Sequence, residues 1–266
     1  MSILRPDGIC TAEREIAVEA PVAIEVEGIG YAVMMMTPAD LETFAMGFML
    51  TERLADSPQD VEAVEPFEAE AGWIVRIALA ERCRGRIQDR VRHRSSDTGC
   101  GLCGIASLEH LHRPVAARPV KPETTPAALF AAIETLRARQ PLNRATGAVH
   151  AAAACDADGA IVAAYEDVGR HNALDKLIGG TLGRAPAFIL VTSRISFEMV
   201  DKALVAGVPM LVGISAPTSL AVDHARAHGL TLVALARSDA MLVANDPFGC
   251  FQLVAEEGLE PPTPGL

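Results

Sequence analysis

From residue 126 onward, short apolar runs alternate with stretches of helical periodicity, and this rhythm narrows the available folds. A helix over about Pro126 to Arg139 precedes the strand GAVHAAAAC, the turn DADG and the strand AIVAAYE. Then come helix RHNALDKLIGG, strand AFILVTS, helix FEMVDKALVAG, strand PMLVGIS, helix LAVDHARAHG and strand LTLVALA. Strands and helices of these lengths in alternation mean βαβ crossovers and a largely parallel sheet under helices, an α/β fold.

The first part has a different rhythm and reads as α+β. APVAIEVEGIGYAVMMM alternates and turns near Gly28–Gly30, which predicts a hairpin. Thr37-Pro38 then reads as an N-cap followed by proline at the first helical position. Leu41, Phe44, Ala45, Phe48 and Met49 recur at helical spacing and form a core face. GWIVRIALA is another strand. The stretch ERCRGRIQDRVRHR carries six arginines against two acids. Arg82, Arg84 and Arg86 alternate, as do Arg90, Arg92 and Arg94, the spacing of two solvated strand faces. The functional alternative is a positive field that lowers nearby thiol pKa values or attracts an acidic partner.

Arg113 to Pro126 holds four prolines and no apolar period, so it reads as a linker. The expected division is an N-terminal α+β domain over 1–118, an α/β domain over 119–254 and a disordered tail over 255–266. With 266 residues, half of them hydrophobic, the chain can build a real core. A net charge of −11 argues against nucleic-acid binding, which needs a basic surface. No apolar run has a membrane-spanning length, and MSILRPDGIC lacks the apolar core of a signal peptide. Six cysteines in a chain this long do not make a secreted disulfide scaffold, so a cytoplasmic location is expected.

Ligands of such sheets bind beyond the carboxyl ends of the strands, and unusual polar clusters collect there. They are EDVGRHN (Glu166, Asp167, Arg170, His171, Asn172), TSRISFE (Thr192, Ser193, Arg194, Ser196, Glu198), SAPTS (Ser215, Thr218, Ser219) and ARSDA (Arg237, Ser238, Asp239). Arg170 and His171 fall in the first turn of a helix, where a cation opposes the macrodipole. A bound anion, such as a phosphate or pyrophosphate, would resolve the conflict. The plainer alternative pairs His171 with Asp175 and Asn172 with Lys176, four residues on, but leaves Arg170 unexplained. Ser196 and Thr218 read as ordinary N-caps.

Cys100 and Cys103 stand in SSDTGCGLCGIASLE with glycines on both sides. A thioredoxin-like dithiol belongs at a helix start, whereas this pair sits in a Gly-rich stretch. Structural zinc needs four ligands, and neither His110 and His112 nor Cys10, Cys83, Cys155 and Cys250 complete a familiar set. Zinc deaminases use His-x-Glu followed by Pro-Cys-x-x-Cys; His150-Ala151-Ala152 lacks the glutamate, and the cysteines precede it. A sulfur carrier is the fourth reading, because a thiolate attacking a sulfur donor is ordinary exchange chemistry. Spacing alone does not choose between it and redox chemistry.

Seven blocks in order do more: TPADLETFAMGFMLTE, CGLCGIAS, TGAVHAAA, EDVGRHNALDKLIG, SRISFEMVDKA, GVPMLVGISAPTSLAV and GLTLVALAR. From about Glu13 to Arg237 the chain resembles the FdhD family of formate dehydrogenase accessory sulfurtransferases. The resemblance implies a sulfur carrier that takes persulfide sulfur from a cysteine desulfurase. It would pass that sulfur to the molybdenum cofactor, molybdenum bis(molybdopterin guanine dinucleotide), before insertion into formate dehydrogenase. It makes Cys100 the persulfide-bearing residue and Cys103 its helper. The matching cofactor segment is Leu235, Ala236, Arg237, Ser238, Asp239 and Ala240. Arg170, His171 and Arg194 are expected near the cofactor from their placement. A cytidine-deaminase-like three-layer αβα fold is implied for the C-terminal domain, with the guanine nucleotide moiety as a ligand, a homodimer as the assembly and no structural metal. The rivals are a cofactor-binding chaperone without sulfur transfer, and a dithiol oxidoreductase.

Overall fold

The alternating apolar residues of the first part form the expected hairpin, β3 (Ala20–Val26) and β4 (Ile29–Met36). It turns at Glu27 and Gly28, both at positive φ (51° and 73°), as a two-residue hairpin connection demands. The computed structural model describes residues 1–91 and 118–251. Two further strands, β5 (Val61–Ala69) and β6 (Gly72–Leu79), complete a four-stranded sheet in the order β4-β3-β6-β5. A separate hairpin, β1 (Ser2–Arg5) with β2 (Gly8–Thr11), lies ahead of it, exposed throughout.

One face of the four-stranded sheet is covered by α1 (Leu41–Thr51) and α2 (Glu81–Val91). Val22, Ile24, Val75 and Ile77 pack there against Phe44, Ala45, Phe48 and Met49. Two expectations are corrected in this region. Helix α1 starts at Leu41, with Asp40 at the N-cap in a left-handed conformation. Thr37 and Pro38 therefore do not cap it. The arginine-rich stretch is helical where it is described. Cys83 and Ile87, four residues apart, are fully buried in the same core, and that spacing belongs to a helix. Arg82, Arg84 and Arg86 are no free positive field. They pair with Asp60 at 2.6 Å, Glu27 at 3.1 Å and Asp56 at 2.6 Å, and the Arg82 guanidinium holds the Asp60 carboxyl well below the usual carboxylate range.

The second sheet has six strands in the order β12-β11-β10-β9-β7-β8. In chain order these are β7 (His150–Cys155), β8 (Ile161–Asp167), β9 (Phe188–Val191), β10 (Met210–Gly213), β11 (Thr231–Ala234) and β12 (Leu242–Asn245). Helices α5 (Arg170–Gly180), α6 (Phe197–Val205) and α7 (Ser219–His228) cover one face. Helix α3 (Pro126–Leu136) covers the other with Leu129, Ala132 and Leu136.

The sheet is mixed, not largely parallel. Only β9, β10 and β11 run parallel as neighbours; β7 is antiparallel to β8 and β9, and β12 to β11. The reason is the tight connection after Cys155, where Asp156 Oδ1 accepts the N–H groups of Asp158 and Ala160 at 3.1 and 2.8 Å. A turn this short joins antiparallel strands only. Because β7 is antiparallel to both neighbours, β8 points the same way as β9, β10 and β11.

Candidate functional site

Four strands thus end on one edge: β8 at Asp167, β9 at Val191, β10 at Gly213 and β11 at Ala234. The first residue of β7, His150, lies on the same edge, in register with Asp167. The expected convergence of the polar clusters holds. Main-chain bonds tie the loops together there. Ile195 N–H donates to Ala216 O at 3.3 Å, and Leu235 N–H to Ser215 O at 3.2 Å. Leu235 adopts φ 49° and is 40% exposed, and the chain turns back at once as Arg237 N–H donates to Ala240 O at 2.9 Å.

The first turn of α5 carries the unresolved chemistry. Its N-cap, Gly169, offers no side-chain acceptor. Arg170 Nε and His171 Nε2 are buried, with no hydrogen-bond partner among the described residues. Ser196 Oγ, at the N-cap of α6, is in the same condition. The alternative pairings expected of a plain helix surface are not made. Asp175 is taken by Lys202 at 2.9 Å and Thr51 at 2.8 Å, and Lys176 by Asp167 at 2.7 Å. Buried polar groups without partners cost stability. Three of them at one strand edge, beside helix amides that favour anions, fit phosphate oxygens. Burial, together with the positive charges of Lys202 and Arg170, pushes the His171 imidazole down to about 3. His171 is therefore neutral, and Arg170 is the cation of that turn.

The neutral imidazole has a measurable consequence. Its folded pKa lies below the unfolded value of 6.5, so between pH 6.5 and about 3 the unfolded chain binds a proton that the folded chain refuses. Stability from this group is complete above pH 6.5 and falls as pH drops through that window, at most about 1.4 kcal/mol per pH unit. Urea midpoints of the wild type and His171→Gln should converge near neutrality and separate on acidification, the wild type losing more. Parallel curves would mean an ordinarily titrating imidazole.

Two residues of the EDVGRHN cluster are structural. Glu166 caps α4 (Pro141–Thr146), its carboxylate accepting Leu142 N–H and Asn143 N–H, each at 2.8 Å. Asp167, fully buried, accepts Thr37 N–H at 3.1 Å, Gly169 N–H at 2.8 Å, Asn172 Nδ2 at 3.0 Å and Lys176 Nζ at 2.7 Å. Lys176 Nζ also reaches Thr37 O at 3.0 Å, and Asn172 Nδ2 reaches Met35 O at 3.1 Å. This network fixes the start of α5 to the end of β4. The sequence signal was available in part: an Asp at a strand end followed nine residues later by a Lys on a helix face.

Arg194 and Arg237 are exposed at the loops after β9 and β11. Arg170 and Arg237 follow strands separated by four inter-strand spacings, about 19 Å. One phosphate does not touch both, whereas an extended dinucleotide spans that distance. Cys100 and Cys103 lie outside the described residues. A cleft of ≈ 610 Å³ opens at the opposite edge, lined by the C-terminal ends of α5 and α6 and the loop after α1. Two of its charged side chains, Arg53 and Asp56, are already paired with Asp201 and Arg86, and the third is Arg184. Asp56, Asp60 and Cys83 approach one another closely enough to share a cation, but Arg82 and Arg86 already neutralise the two carboxylates. Among the described residues, no helix is long and apolar enough to cross a membrane.

Known proteins share this architecture. A protein from Desulfotalea psychrophila, described as a formate dehydrogenase accessory protein, has a crystal structure that superposes with a TM-score of 0.71 at 26% identity, covering 93% of this chain and 96% of that one. A sulfur carrier protein FdhD from Variovorax paradoxus (strain S110) is 43% identical over 237 residues, 88% of this chain and 85% of its own length. A protein of the same name from Bordetella parapertussis is 42% identical over 236 residues, 87% and 86% of the two chains. The FdhD/NarQ family profile matches residues 17–248, which take in both sheets and every polar cluster on the strand edge. By sequence and by architecture, the chain belongs to the FdhD/NarQ family.

Proposed function

We propose that the protein is a sulfur carrier serving formate dehydrogenase, with sulfurtransferase chemistry on Cys100. Its relatives named sulfur carrier proteins support the reading. So does the group of unpartnered Arg170, His171 and Ser196 atoms at the strand edge, the observation that carries the acceptor half of the proposal. In the first step the Cys100 thiolate attacks the outer sulfur of a cysteine desulfurase persulfide. The donor's S–S bond breaks, its cysteine leaves as a thiolate, and Cys100 keeps the sulfur as a persulfide. Cys103 assists release.

The acceptor is the molybdenum bis(molybdopterin guanine dinucleotide) cofactor, bound as substrate. Arg170, His171, Arg194 and the segment Leu235 to Ala240 would hold its nucleotide arms, and the molybdenum supplies the site that receives sulfur. Arg170 and the α5 amides neutralise phosphate charge, and the Leu235 turn offers backbone groups at the far end of the edge. The reading includes two domains, 1–118 and 119–254, the second of cytidine-deaminase type, a homodimer and a cytoplasmic setting. The division is supported by the four-stranded sheet ending before residue 118 and the six-stranded sheet beginning after it.

The test is intact-mass spectrometry after incubation with a cysteine desulfurase and L-cysteine. The wild type is expected to gain sulfur, and Cys100→Ala to gain none while still binding guanine nucleotide. No sulfur on the wild type, with zinc retained on the cysteines, would leave a cofactor-binding chaperone instead.

A further inference from the structure

The register of the four-stranded sheet fixes what its second face shows. Val22, Ile24, Val75 and Ile77 point toward α1 and α2, so their neighbours in sequence point the other way. Ala23 is paired with Val33 on one side and Ile74 on the other, and Ile74 with Phe67. Val33, Ala23, Ile74 and Phe67 therefore form one apolar row across all four strands, about 14 Å from β4 to β5 at the usual strand spacing. Pro21 and Met35, paired two residues along, extend it in a second row. Val33 is 71% exposed and Met35 51%. Phe67 and Ile74 are half-buried and pack into no core cluster among the described residues. A sheet face left to water ordinarily alternates to polar side chains, and a contiguous apolar patch in their place marks an interaction surface.

The margins of this platform are acidic. The next row is Glu25, Arg76 and Glu65. Arg76 is held there by Glu25 at 3.5 Å and lies 4.6 Å over the Phe67 ring. Glu19 and Glu70, both exposed, flank β3 and β5 at the opposite margin. A second copy of the chain would bring the same acids against these and be repelled. The surface that fits has an apolar centre and a basic rim. Position narrows the partner further. Met35 O accepts Asn172 Nδ2 at 3.1 Å, so the end of the platform abuts the first turn of α5 and the strand edge assigned to the acceptor cofactor. We propose that this face docks the protein that receives the cofactor, formate dehydrogenase, through an apolar centre ringed by lysines and arginines. The proposal rests on the function proposed above and names the docking face of its client. A client seated there adjoins the strand edge without covering the second sheet.

Biolayer interferometry with the immobilised protein and cofactor-free formate dehydrogenase tests the face. The wild type is expected to bind, more weakly as salt rises. Val33→Asp, which sets a charge in the apolar row, should weaken binding at least about tenfold. Glu65→Lys should slow association and flatten the salt dependence. Ile9→Asp, at a similarly exposed apolar position on the β1–β2 hairpin, is the control and should bind like the wild type. All three variants should melt with the wild type. A lower melting temperature for Val33→Asp would mean that the chain itself covers the face, and would overturn the proposal. So would a wild type that does not bind, binding that Val33→Asp leaves intact, or a sedimenting dimer that Val33→Asp dissociates. Sulfur loading of Cys100 by a cysteine desulfurase is read on the same proteins and should be unchanged. Loading lost with Val33→Asp would give the face to the sulfur donor instead. No loading on the wild type, with client binding still lost in Val33→Asp, removes the sulfur-carrier reading and leaves the docking face standing.

Discussion

Lys176→Met is expected to destabilise the protein by about 3–5 kcal/mol, the cost of stripping one partner from a buried ion pair. Lys176 is fully buried, and its ammonium donates to Asp167 Oδ2 at 2.7 Å and to Thr37 O at 3.0 Å. Without it, Asp167 keeps its charge in the interior and only three neutral donors, from Thr37, Gly169 and Asn172. The double variant Asp167→Asn with Lys176→Met removes the stranded charge and retains an acceptor for Gly169 and Asn172. It should therefore be more stable than Lys176→Met alone, with a coupling energy of about 0.5–3 kcal/mol in a double-mutant cycle. Urea denaturation of the four proteins reads this directly. Additive single effects would mean that Asp167 and Lys176 act independently despite their contact. Since the same carboxylate accepts Gly169 N–H, Lys176→Met should also displace the first turn of α5 and weaken GDP binding.

The contrast between Arg170 and Asp167 shows how far a sequence carries. A cation in a helix's first turn violates a local rule, and that violation needs no coordinates to be seen. The partner that Asp167 and Lys176 share at Thr37 lies 130 and 139 residues away in the chain, and no local pattern reports such a pairing. Strand and helix order from Pro126 onward was legible because each element carries its own period. Strand direction was not, because it depends on whether a connection is a turn or a crossover, and the DADG turn decided it. Helix α2 was hidden by its arginines, whose alternation imitates a strand while Cys83 and Ile87 carry the helical spacing. Strand β12 is largely exposed and lacks the buried apolar run of the equally short β9, β10 and β11, and the six-residue α4 is too short to show a period. Glu166 therefore read as part of the site, although it caps α4. Ser196 reads as an N-cap from its sequence position and is one, but its hydroxyl makes no capping bond, which no local pattern reports.

Close backbone contact at the crossing of α1 and α5 yields the other large effect. A Cβ added at Gly47 would run into the main-chain carbonyl of Asp175, and one added at Gly179 into that of Thr43. Both obstacles are backbone atoms of the facing helix, so no rotamer change relieves them. Gly179→Ala must push the helices apart, loosening Thr51 from Asp175, which are bonded at 2.8 Å across the same crossing. The expected cost is at or above the upper end of the 1–3 kcal/mol typical of overpacking. Gly47→Ala should cost a similar amount. The double variant should cost less than the sum, because one separation of the helices accommodates both methyl groups. Gly85→Ala in α2 is the control. Its added Cβ meets nothing within 4 Å, so the change should stabilise by up to about 1 kcal/mol through helix propensity alone. Chemical denaturation of the four variants separates the two cases by sign. A Gly179→Ala protein as stable as the wild type would mean that the helices slide past each other freely, and that the glycines do not set their spacing. A loss confined to the crossing variants would show that the α1–α5 contact holds the four-stranded sheet against the helices that carry Arg170 and Ser196.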